Sequence, residues 1–158
     1  MAENAGGSRG LKYGVTADYV MGLQFFETAG DPVKTGSRTV KCATGYNLAG
    51  LMVGSEGALG VFNEITLKLN PKPAARKAMT AIFRRVETAS EAVAKIIAAH
   101  IIPATPEFME NFTIRAAEAC SKAGLPTDAD APPLVEVDGH SAQVAEDADR
   151  VESICKEM

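Results

Sequence analysis

Three glycine-bearing segments are the parts of this 158-residue sequence whose residue types and spacing could serve chemistry. They are residues 4–7 (NAGG) with 12–14 (KYG), residues 38–41 (RTVK) with 44–46 (TGY), and residues 54–60 (GSEGALG). Glycine tolerates positive φ and lets the backbone come close to a flat ring or a phosphate. Backbone N–H groups exposed in this way bind a carbonyl or an anion without a side chain. The spacing therefore indicates backbone near an unidentified ligand, although tight turns explain it equally well.

Two basic side chains stand in the second of these segments. Arg38 is suited to a carboxylate ligand, because a guanidinium grips a carboxylate through two parallel hydrogen bonds. Lys41 offers a second positive charge three positions later. A solvated loop accounts for both side chains almost as well, since loops of this composition lie at protein surfaces.

The motifs of several well-defined sites do not occur in the sequence. There is no G-x-G-x-x-G after a strand, no P-loop and no pair of histidines at metal-binding spacing. His100 and His140 are predicted at a helix end and a helix entry, where capping or solvated histidines are common. We therefore assign no metal ligand and no catalytic residue from the sequence.

Charge and cysteine content exclude further classes of function. The 16 basic and 20 acidic residues give a formal net charge of -4. They form no basic stripe, so nucleic acid is not an expected partner. No apolar run is long enough to cross a bilayer, and the N-terminus lacks a signal-peptide pattern. The three cysteines are widely spaced, which favours free thiols in a reducing compartment over disulfides or zinc. We expect a cytoplasmic protein that is not a transmembrane protein.

The first 70 residues are predicted to form short strands joined by glycine-rich loops. Residues 20–27 alternate as a strand, residues 33–35 return as the second strand of a hairpin, and residues 48–53 suit one or two helical turns.

A further strand is predicted at residues 61–69. It places Ile65, Leu67 and Leu69 on one face, as in a half-buried strand. The stretch NPKP that follows cannot continue a strand ladder, so we expect a domain boundary there.

The remainder of the chain repeats a strand–helix unit. Strands are predicted at residues 78–83, 107–109 and 134–137. Helices are predicted after the cap Thr88 of the capping box TASE, at residues 112–120 and after the cap Ser141. The segment GLP at residues 124–126 is a stop signal. The inner face of the last helix is predicted to consist of Val144, Ala148, Val151 and Cys155. The pattern predicts a small α+β sandwich of ferredoxin-like type.

The strings AENAGG, LKYGVT and DYVMGL and the run TGSRTVKCATGYNLAGLMVGSEGALGVFNEITLKLNPKP together resemble the FAD-linked oxidase family, with its vanillyl-alcohol-oxidase (PCMH-type) flavin domain. The resemblance covers most of residues 2–75 and continues more loosely through HIIPATPEFMENFTIRAAEA and LPTDADAPPLVEVDG. It is nearest to the branch of the glycolate oxidase flavin subunit and the D-lactate and D-2-hydroxyglutarate dehydrogenases. The resemblance implies FAD, a small-molecule 2-hydroxy acid as substrate and hydride transfer to the flavin N5. It also implies that residues 1–72 are the C-terminal half of an FAD-binding domain and residues 73–158 part of a C-terminal substrate (cap) domain, in an α+β architecture.

The resemblance implies roles for individual residues. The positions that would lie along FAD are Asn4, Gly6, Gly7, Tyr13, Gly14, Glu56, Gly57, Leu59, Gly60 and Val61. Arg38 and Thr44 match positions that face the substrate carboxylate, with Lys41 as a second basic candidate. Cys42 stands where relatives often carry Asn, which argues mildly against a polar FAD contact at that position.

Two parts of the family pattern are missing from the sequence. They are the upstream glycine-rich loop that cradles the FAD pyrophosphate and the downstream histidine segment that supplies metal ligands or a general base. A general base must take the hydroxyl proton as hydride leaves, and no residue fills that role convincingly. We therefore expect an interior fragment that is inactive alone and works with the rest of the flavoenzyme or with other oxidase subunits. Such subunits could also hold it at the periphery of a membrane.

The alternative is a non-catalytic α+β binding or scaffold module derived from the same family. The missing segments favour this alternative, whereas Arg38, Thr44 and Glu56 favour recent descent from an active enzyme. Unpaired sheet edges would also favour a homo-oligomer, because an open edge invites pairing with another copy.

Overall fold

A computed structural model describes residues 1–83, 85–125, 127 and 133–158. The chain divides into two compact units. The first unit is Met1–Gly7 with Gly14–Pro71, and the second unit is Ser8–Tyr13 with Lys72–Met158. The short segment Ser8–Tyr13 therefore leaves the first unit and contributes to the second, which the sequence pattern did not indicate.

The first unit is built on a three-stranded antiparallel sheet. Its strands are β1 (Val20–Phe26), β2 (Pro32–Gly36) and β3 (Val61–Leu67), in the order β2-β1-β3. The predicted hairpin is confirmed, since β1 pairs with β2 in antiparallel register. The predicted helical turns are also confirmed as a short helix, which we call α2 (Leu48–Met52).

The core of the first unit lies between α2 and the sheet. The buried side chains of this core are Leu23, Phe25, Ala49, Met52 and Val53. Asn47 starts α2, because its side-chain oxygen accepts a hydrogen bond from the Gly50 amide at 2.8 Å. Such a cap satisfies one of the backbone donors that a helix start leaves without a partner.

The strand predicted at residues 61–69 is present, but its apolar face is not covered as predicted. Ile65 is 40% exposed, Leu67 45% and Leu69 86%, while Phe62 packs against the buried cluster. The short α2 packs against β1 and β2, which leaves the apolar side of β3 largely open. The alternation of apolar and polar residues predicted the strand correctly, but the burial that it predicted for the apolar face is wrong.

The second unit has an α+β architecture, which confirms the predicted class. Its strands are β4 (Ala75–Thr80), β5 (Thr105–Phe108) and β6 (Pro133–Gly139), all antiparallel, with β6 in the centre of the order β4-β6-β5. Its helices are α1 (Gly10–Tyr13), α3 (Val86–Ala98), α4 (Asn111–Ser121) and α5 (Ser141–Lys156). None of the helices in the described part of the chain has both the length and the apolarity needed to cross a bilayer.

The inner face of α5 was predicted correctly. Val144, Ala148 and Val151 are buried, and Cys155 packs against the same cluster. The cluster also contains Val135 and Val137 of β6 together with Ile96 and Ile101. Burying one such side chain contributes about 1.5–3 kcal/mol, so this cluster holds α5 on the sheet.

Two element boundaries in the second unit differ from the prediction. Strand β4 spans residues 75–80 instead of 78–83, because Ala75 pairs with Gly139 of β6 while Phe83 turns into a buried cluster with Ala89 and Ala92. With Thr88 as the cap, helix α3 was predicted to begin at Ala89. It begins about one turn earlier, at Val86, because the Ala89 amide donates to the Arg85 carbonyl at 3.2 Å.

The start of α5 and the end of α4 can be compared with the predicted cap and stop residues. His140 caps α5, since its Nδ1 accepts from the Ala142 amide at 3.4 Å, while the predicted cap Ser141 is the first helical residue. Helix α4 ends at Ser121, and Lys122 then adopts a left-handed conformation with φ 51°. Of the predicted GLP stop signal, Pro126 lies outside the described residues.

Candidate functional site

The first and third glycine-bearing segments lie side by side in the first unit. The Glu56 amide donates to the Ala2 carbonyl at 2.9 Å, and the Gly54 amide donates to the Met1 carbonyl at 3.2 Å. Asn4 and Glu56 both adopt left-handed backbone conformations, with φ of 51° and 50°. Two segments that are 50 residues apart in sequence thus form one backbone surface.

The NAGG segment is held in place by its own side chain and by the turn at Thr16–Asp18. The Asn4 Oδ1 accepts from the Ala17 amide at 2.8 Å. The Ala5 carbonyl accepts from the Thr16 amide at 3.2 Å and from the Thr16 hydroxyl at 2.7 Å. The side-chain oxygen of Asn4 therefore stabilises the local backbone by accepting this hydrogen bond.

Ser55 is a polar residue of this surface whose hydroxyl could still form a hydrogen bond. Its hydroxyl oxygen is buried and has no hydrogen-bond partner among the described residues. A buried hydroxyl without a partner is costly, so such a group is commonly completed by a water or a ligand. Ser55 lies between Gly54 and Glu56, the two residues whose amides bond to residues 1 and 2.

The glycines of the site differ in how much space surrounds them. Gly7 and Gly57 have φ of 63° and 83°, and a Cβ atom at either position would meet nothing within 4 Å. Gly60 is constrained by packing, because a Cβ atom there would lie 2.6 Å from the Phe26 carbonyl oxygen. Gly7 and Gly57 therefore present open backbone that a flat group could approach, whereas Gly60 serves the strand contact.

Leu59 and Val61 continue this surface with apolar side chains. They are 44% and 69% exposed. Gly6 is more enclosed, because an added Cβ would lie 3.1 Å from Val15 Cγ1.

The predicted carboxylate-binding residues are not brought together in one cleft. Thr44 lines a cleft of about 440 Å³ that also contains Asp18 and Lys68. Arg38 lines a neighbouring, smaller cleft of about 170 Å³ beside Lys34 and Glu64, and the two clefts share Thr35 and Gly36. The Lys34 Nζ and Glu64 Oε1 atoms are 3.5 Å apart, so that cleft contains both charges.

Lys41 is exposed and is not among the residues that line either cleft. Arg38 and Thr44 are exposed as well. All three side chains are free to meet a ligand from solvent, without a shared pocket to orient them.

Tyr13 and Gly14 are adjacent in sequence but belong to different units. The Tyr13 hydroxyl donates to Asp138 Oδ2 at 2.7 Å within the second unit. Lys12 Nζ reaches the same residue, at 2.5 Å from Asp138 Oδ1 and 2.5 Å from the Asp138 carbonyl oxygen. The KYG motif is thus divided between a side-chain cluster in the second unit and a glycine in the first.

Asp138 carries a buried charge that the sequence pattern did not indicate. Its side chain is 1% exposed. Burial acts to raise the pKa of Asp138, but the hydrogen bonds from Lys12 and Tyr13 and the positive charges of Lys12 and Arg9 outweigh it. The pKa of this carboxyl therefore lies below its ordinary value. No local pattern could have revealed the pair, because Lys12 and Asp138 are 126 positions apart.

Comparison with known proteins identifies relatives for the whole chain. Residues 72–158 match the family model "FAD linked oxidases, C-terminal domain". The chain is 47% identical to glycolate oxidase subunit GlcD of Bacillus subtilis and 44% identical to that of Escherichia coli K12, in each case over 98% of this chain. It is 39% identical to a D-lactate dehydrogenase of Anaerostipes hadrus over 70% of this chain.

A solved structure of alkyldihydroxyacetonephosphate synthase shares the fold. It matches 99% of this chain with a TM-score of 0.77 at 18% sequence identity, and the match spans 30% of that structure's chain. The matches span 33% and 31% of the two glycolate oxidase subunits and 23% of the D-lactate dehydrogenase. The chain thus spans about a third or less of the length of these relatives.

Proposed function

Because the chain belongs to the family of FAD linked oxidases, we propose that it forms part of an FAD-dependent oxidoreductase that converts a 2-hydroxy acid to the 2-oxo acid. The identities with glycolate oxidase subunits and a D-lactate dehydrogenase support an acid of the glycolate or D-lactate type. Bound FAD would supply the acceptor for the hydride that leaves the hydroxyl-bearing carbon.

In this proposal the two parts of the chain have different tasks. Residues 1–72 contribute the C-terminal half of an FAD-binding domain, and residues 73–158 contribute part of the substrate domain. The match of residues 72–158 to the C-terminal domain of the family supports the second assignment. The fold shared with alkyldihydroxyacetonephosphate synthase over 99% of the chain is consistent with both.

The proposed FAD contacts are the backbone of Asn4–Gly7 and of residues 56–61, and the resemblance adds Tyr13 and Gly14 to this set. The observation that carries this assignment is the buried Ser55 hydroxyl without a partner among the described residues, beside the left-handed open backbone of Gly57. If binding uncovers this hydroxyl, a polar ring edge or a phosphate oxygen would complete it, and a flat ring could approach the glycine closely. These features support a fit of the residues present to the cofactor, and we add Ser55 to the set derived from the resemblance.

The proposed carboxylate contacts are Arg38 and Thr44, with Lys41 as a second cation. A guanidinium binds a carboxylate with two hydrogen bonds, and a hydroxyl adds a third. Since these side chains line no common cleft, we propose that substrate or further polypeptide draws them together. Turnover would then require other parts of the flavoenzyme or other oxidase subunits, and the chain alone would be inactive. We place the working complex in the cytoplasm, with any membrane association arising through those partners.

Titration of the purified chain with FAD tests the cofactor assignment. We expect visible flavin bands that remain after desalting, and an FAD dissociation constant about tenfold higher in Ser55→Ala, as for the loss of one hydrogen bond to a charged or strongly polar group. Ser121→Ala is the matched control, because that hydroxyl is occupied by the Ala117 carbonyl at 2.7 Å in α4. A wild-type chain that stays colourless and takes up no FAD would contradict the proposal.

The uncovered apolar face of β3 favours a second candidate function. With Ile65 and Leu67 of β3 40% and 45% exposed and Leu69 just after it 86% exposed, the chain would act as a non-catalytic binding or oligomerising module. Exposed apolar patches of this kind mark surfaces that contact other polypeptides. Light scattering separates the two candidates, since a clean monomer that binds FAD counts against the second.

A further inference from the structure

A cavity of about 530 Å³ lies in the second unit, beside strand β4. It is lined by residues of β4 and β6, by the segment that follows β4 and by the last two turns of α5. All of these residues belong to one compact unit, so the shape of the cavity is set within that unit. Its volume falls within the range of about 300–1,000 Å³ that small-molecule sites occupy.

The cavity forms where two buried clusters of the second unit meet. One cluster contains Val135 and Val151, the other contains Phe83, and Cys155 packs against both. These four side chains line the cavity together with Met79, so its walls are mainly apolar. Such walls bind an apolar group, because the group leaves water and gains close contacts with them.

Lys77 is a charged residue in a row of apolar residues on β4. Ala75 and Met79, two positions away on either side, pack against the larger buried cluster, and residues two apart on a strand share a face. Lys77 is the register partner of Val137 in β6, lines the cavity and is exposed. A lysine in such a place lays its apolar stem along the wall and keeps its ammonium group in the opening.

The other charges that line the cavity leave the Lys77 ammonium available to a ligand. Lys156 donates to Glu152 at 2.6 Å, and this contact, with a smaller effect of the Lys77 charge, lowers the pKa of Glu152. Lys77 forms no ion pair with any residue that the structure describes. Burial raises the pKa of the Cys155 thiol, so this thiol is neutral at pH 7. Two lysines against one glutamate therefore give the lining one unbalanced positive charge.

We propose that this cavity binds a carboxylate with an unbranched apolar chain, such as a medium-chain fatty acid. The chain of the acid lies among Met79, Phe83, Val135 and Val151, and its carboxylate stays at the opening beside the Lys77 ammonium. A carboxylate buried without a cation or a donor is strongly unfavourable, whereas an ammonium at the opening offers it a charge-assisted hydrogen bond. The proposal stands on the second unit alone and is independent of FAD binding.

Protection of the Cys155 thiol reports whether an added acid occupies the cavity. The measurement uses the full chain with Cys42→Ser and Cys120→Ser, because these two thiols are exposed and do not line the cavity. A neutral disulfide reagent is chosen, since the Lys77 charge does not attract it. We expect decanoate to slow modification of Cys155 saturably, at a concentration about tenfold lower than octanoate requires, because two further CH2 groups are buried.

Substitutions of Lys77 in the same background separate its charge from the shape of the cavity. Lys77→Met keeps the length of the side chain, and decanoate should bind it about tenfold more weakly, as for the loss of one hydrogen bond to a charged group. Lys77→Arg keeps a cation and should bind decanoate within about threefold of the unsubstituted background. Lys95→Met is the matched control, because Lys95 is an exposed lysine in the last turn of α3 that does not line the cavity. Its affinity for decanoate should be unchanged.

Decanol provides the same chain length without the charge, and its affinity should be equal with and without Lys77→Met. Three results would overturn the proposal. If decanoate does not protect Cys155, the cavity does not take such a chain. If Lys77→Met and Lys95→Met weaken decanoate binding equally, Lys77 does not hold the carboxylate. If Lys77→Met weakens decanol binding as much as decanoate binding, Lys77 shapes the cavity without selecting an anion.

Discussion

The Lys12–Asp138 pair should make a measurable contribution to the stability of the second unit. Lys12→Met removes the cation and keeps the length of the side chain, leaving a carboxylate that is 1% exposed with Tyr13 as its remaining side-chain donor. Breaking a fully buried ion pair costs about 3–5 kcal/mol, and a hydrogen bond to a charged group contributes about 1.5–3 kcal/mol. Because the Lys12 side chain is 28% exposed, solvent screens part of the interaction, and we expect a loss of about 2 kcal/mol.

The pH dependence of this loss follows from the lowered pKa of Asp138. A carboxyl whose pKa is lower in the folded than in the unfolded chain adds stability above its unfolded pKa of about 3.9, and this stability disappears as the pH falls through the folded pKa. Arg9, Lys12 and Tyr13 face this carboxyl, and Arg9 also pairs with Glu136. The difference between wild type and Lys12→Met should therefore be complete at pH 7 and should shrink below about pH 4.

Urea titration measures this difference if it follows signals of the second unit alone. The backbone amides of Val135 and Val137 are suitable, since both residues are in the buried cluster on β6. Lys156→Met is the control, because it removes an exposed ion pair with Glu152 in α5. Its free energy of unfolding should equal that of wild type. Two results would refute the reasoning. One is a loss of stability in Lys12→Met below about 0.5 kcal/mol at pH 7, which is the range of an ordinary surface substitution. The other is a loss that is larger at pH 3 than at pH 7.

Two further predictions concern the glycine surface and the thiols. Gly60→Ala should destabilise the first unit by about 1–3 kcal/mol in thermal or urea unfolding, because the new Cβ would lie 2.6 Å from the Phe26 carbonyl oxygen. Gly57→Ala is its control, since Gly57 lies in the same unit, also has a positive φ of 83° and leaves an added Cβ with nothing within 4 Å. Equal effects of the two substitutions would contradict the packing argument. Burial raises the pKa of the Cys155 thiol, whereas Cys42 is exposed. A disulfide reagent at pH 8 should therefore modify Cys42 in the Cys155→Ala variant faster than Cys155 in the Cys42→Ala variant, and the reverse order would show that access does not control reactivity here.

The elements with strong local periodicity could be predicted from the sequence. Strand β1 and its hairpin partner β2 follow from alternation and turn residues, and the buried face of α5 follows from the spacing of Val144, Ala148 and Val151. In each case one run of residues carries the complete signal, because strand and helix periods of two and 3.6 residues sort apolar side chains to one face.

Element boundaries depended on packing that local patterns do not contain. The start of α3 was predicted one turn late because TASE resembles a capping box, whereas the backbone bond from Ala89 to Arg85 begins the helix earlier. The strand predicted through Phe83 ends at Thr80, since Phe83 is buried against α3. A backbone hydrogen bond overruled the local pattern in the first case, and burial of an apolar side chain overruled it in the second.

The types of most elements, the α+β class and the three glycine segments are evident from residue patterns along the chain. The tertiary structure decided which segments meet. It placed Ser55 and its neighbours beside residues 1 and 2, put Arg38 and Thr44 in neighbouring clefts, left the apolar side of β3 open and paired Lys12 with Asp138. The physical reason is that a backbone hydrogen bond or an ion pair between distant residues leaves no trace in the spacing of either partner. Periodicity records which face of an element is apolar, and only the packed chain determines what that face, or a buried charge, contacts.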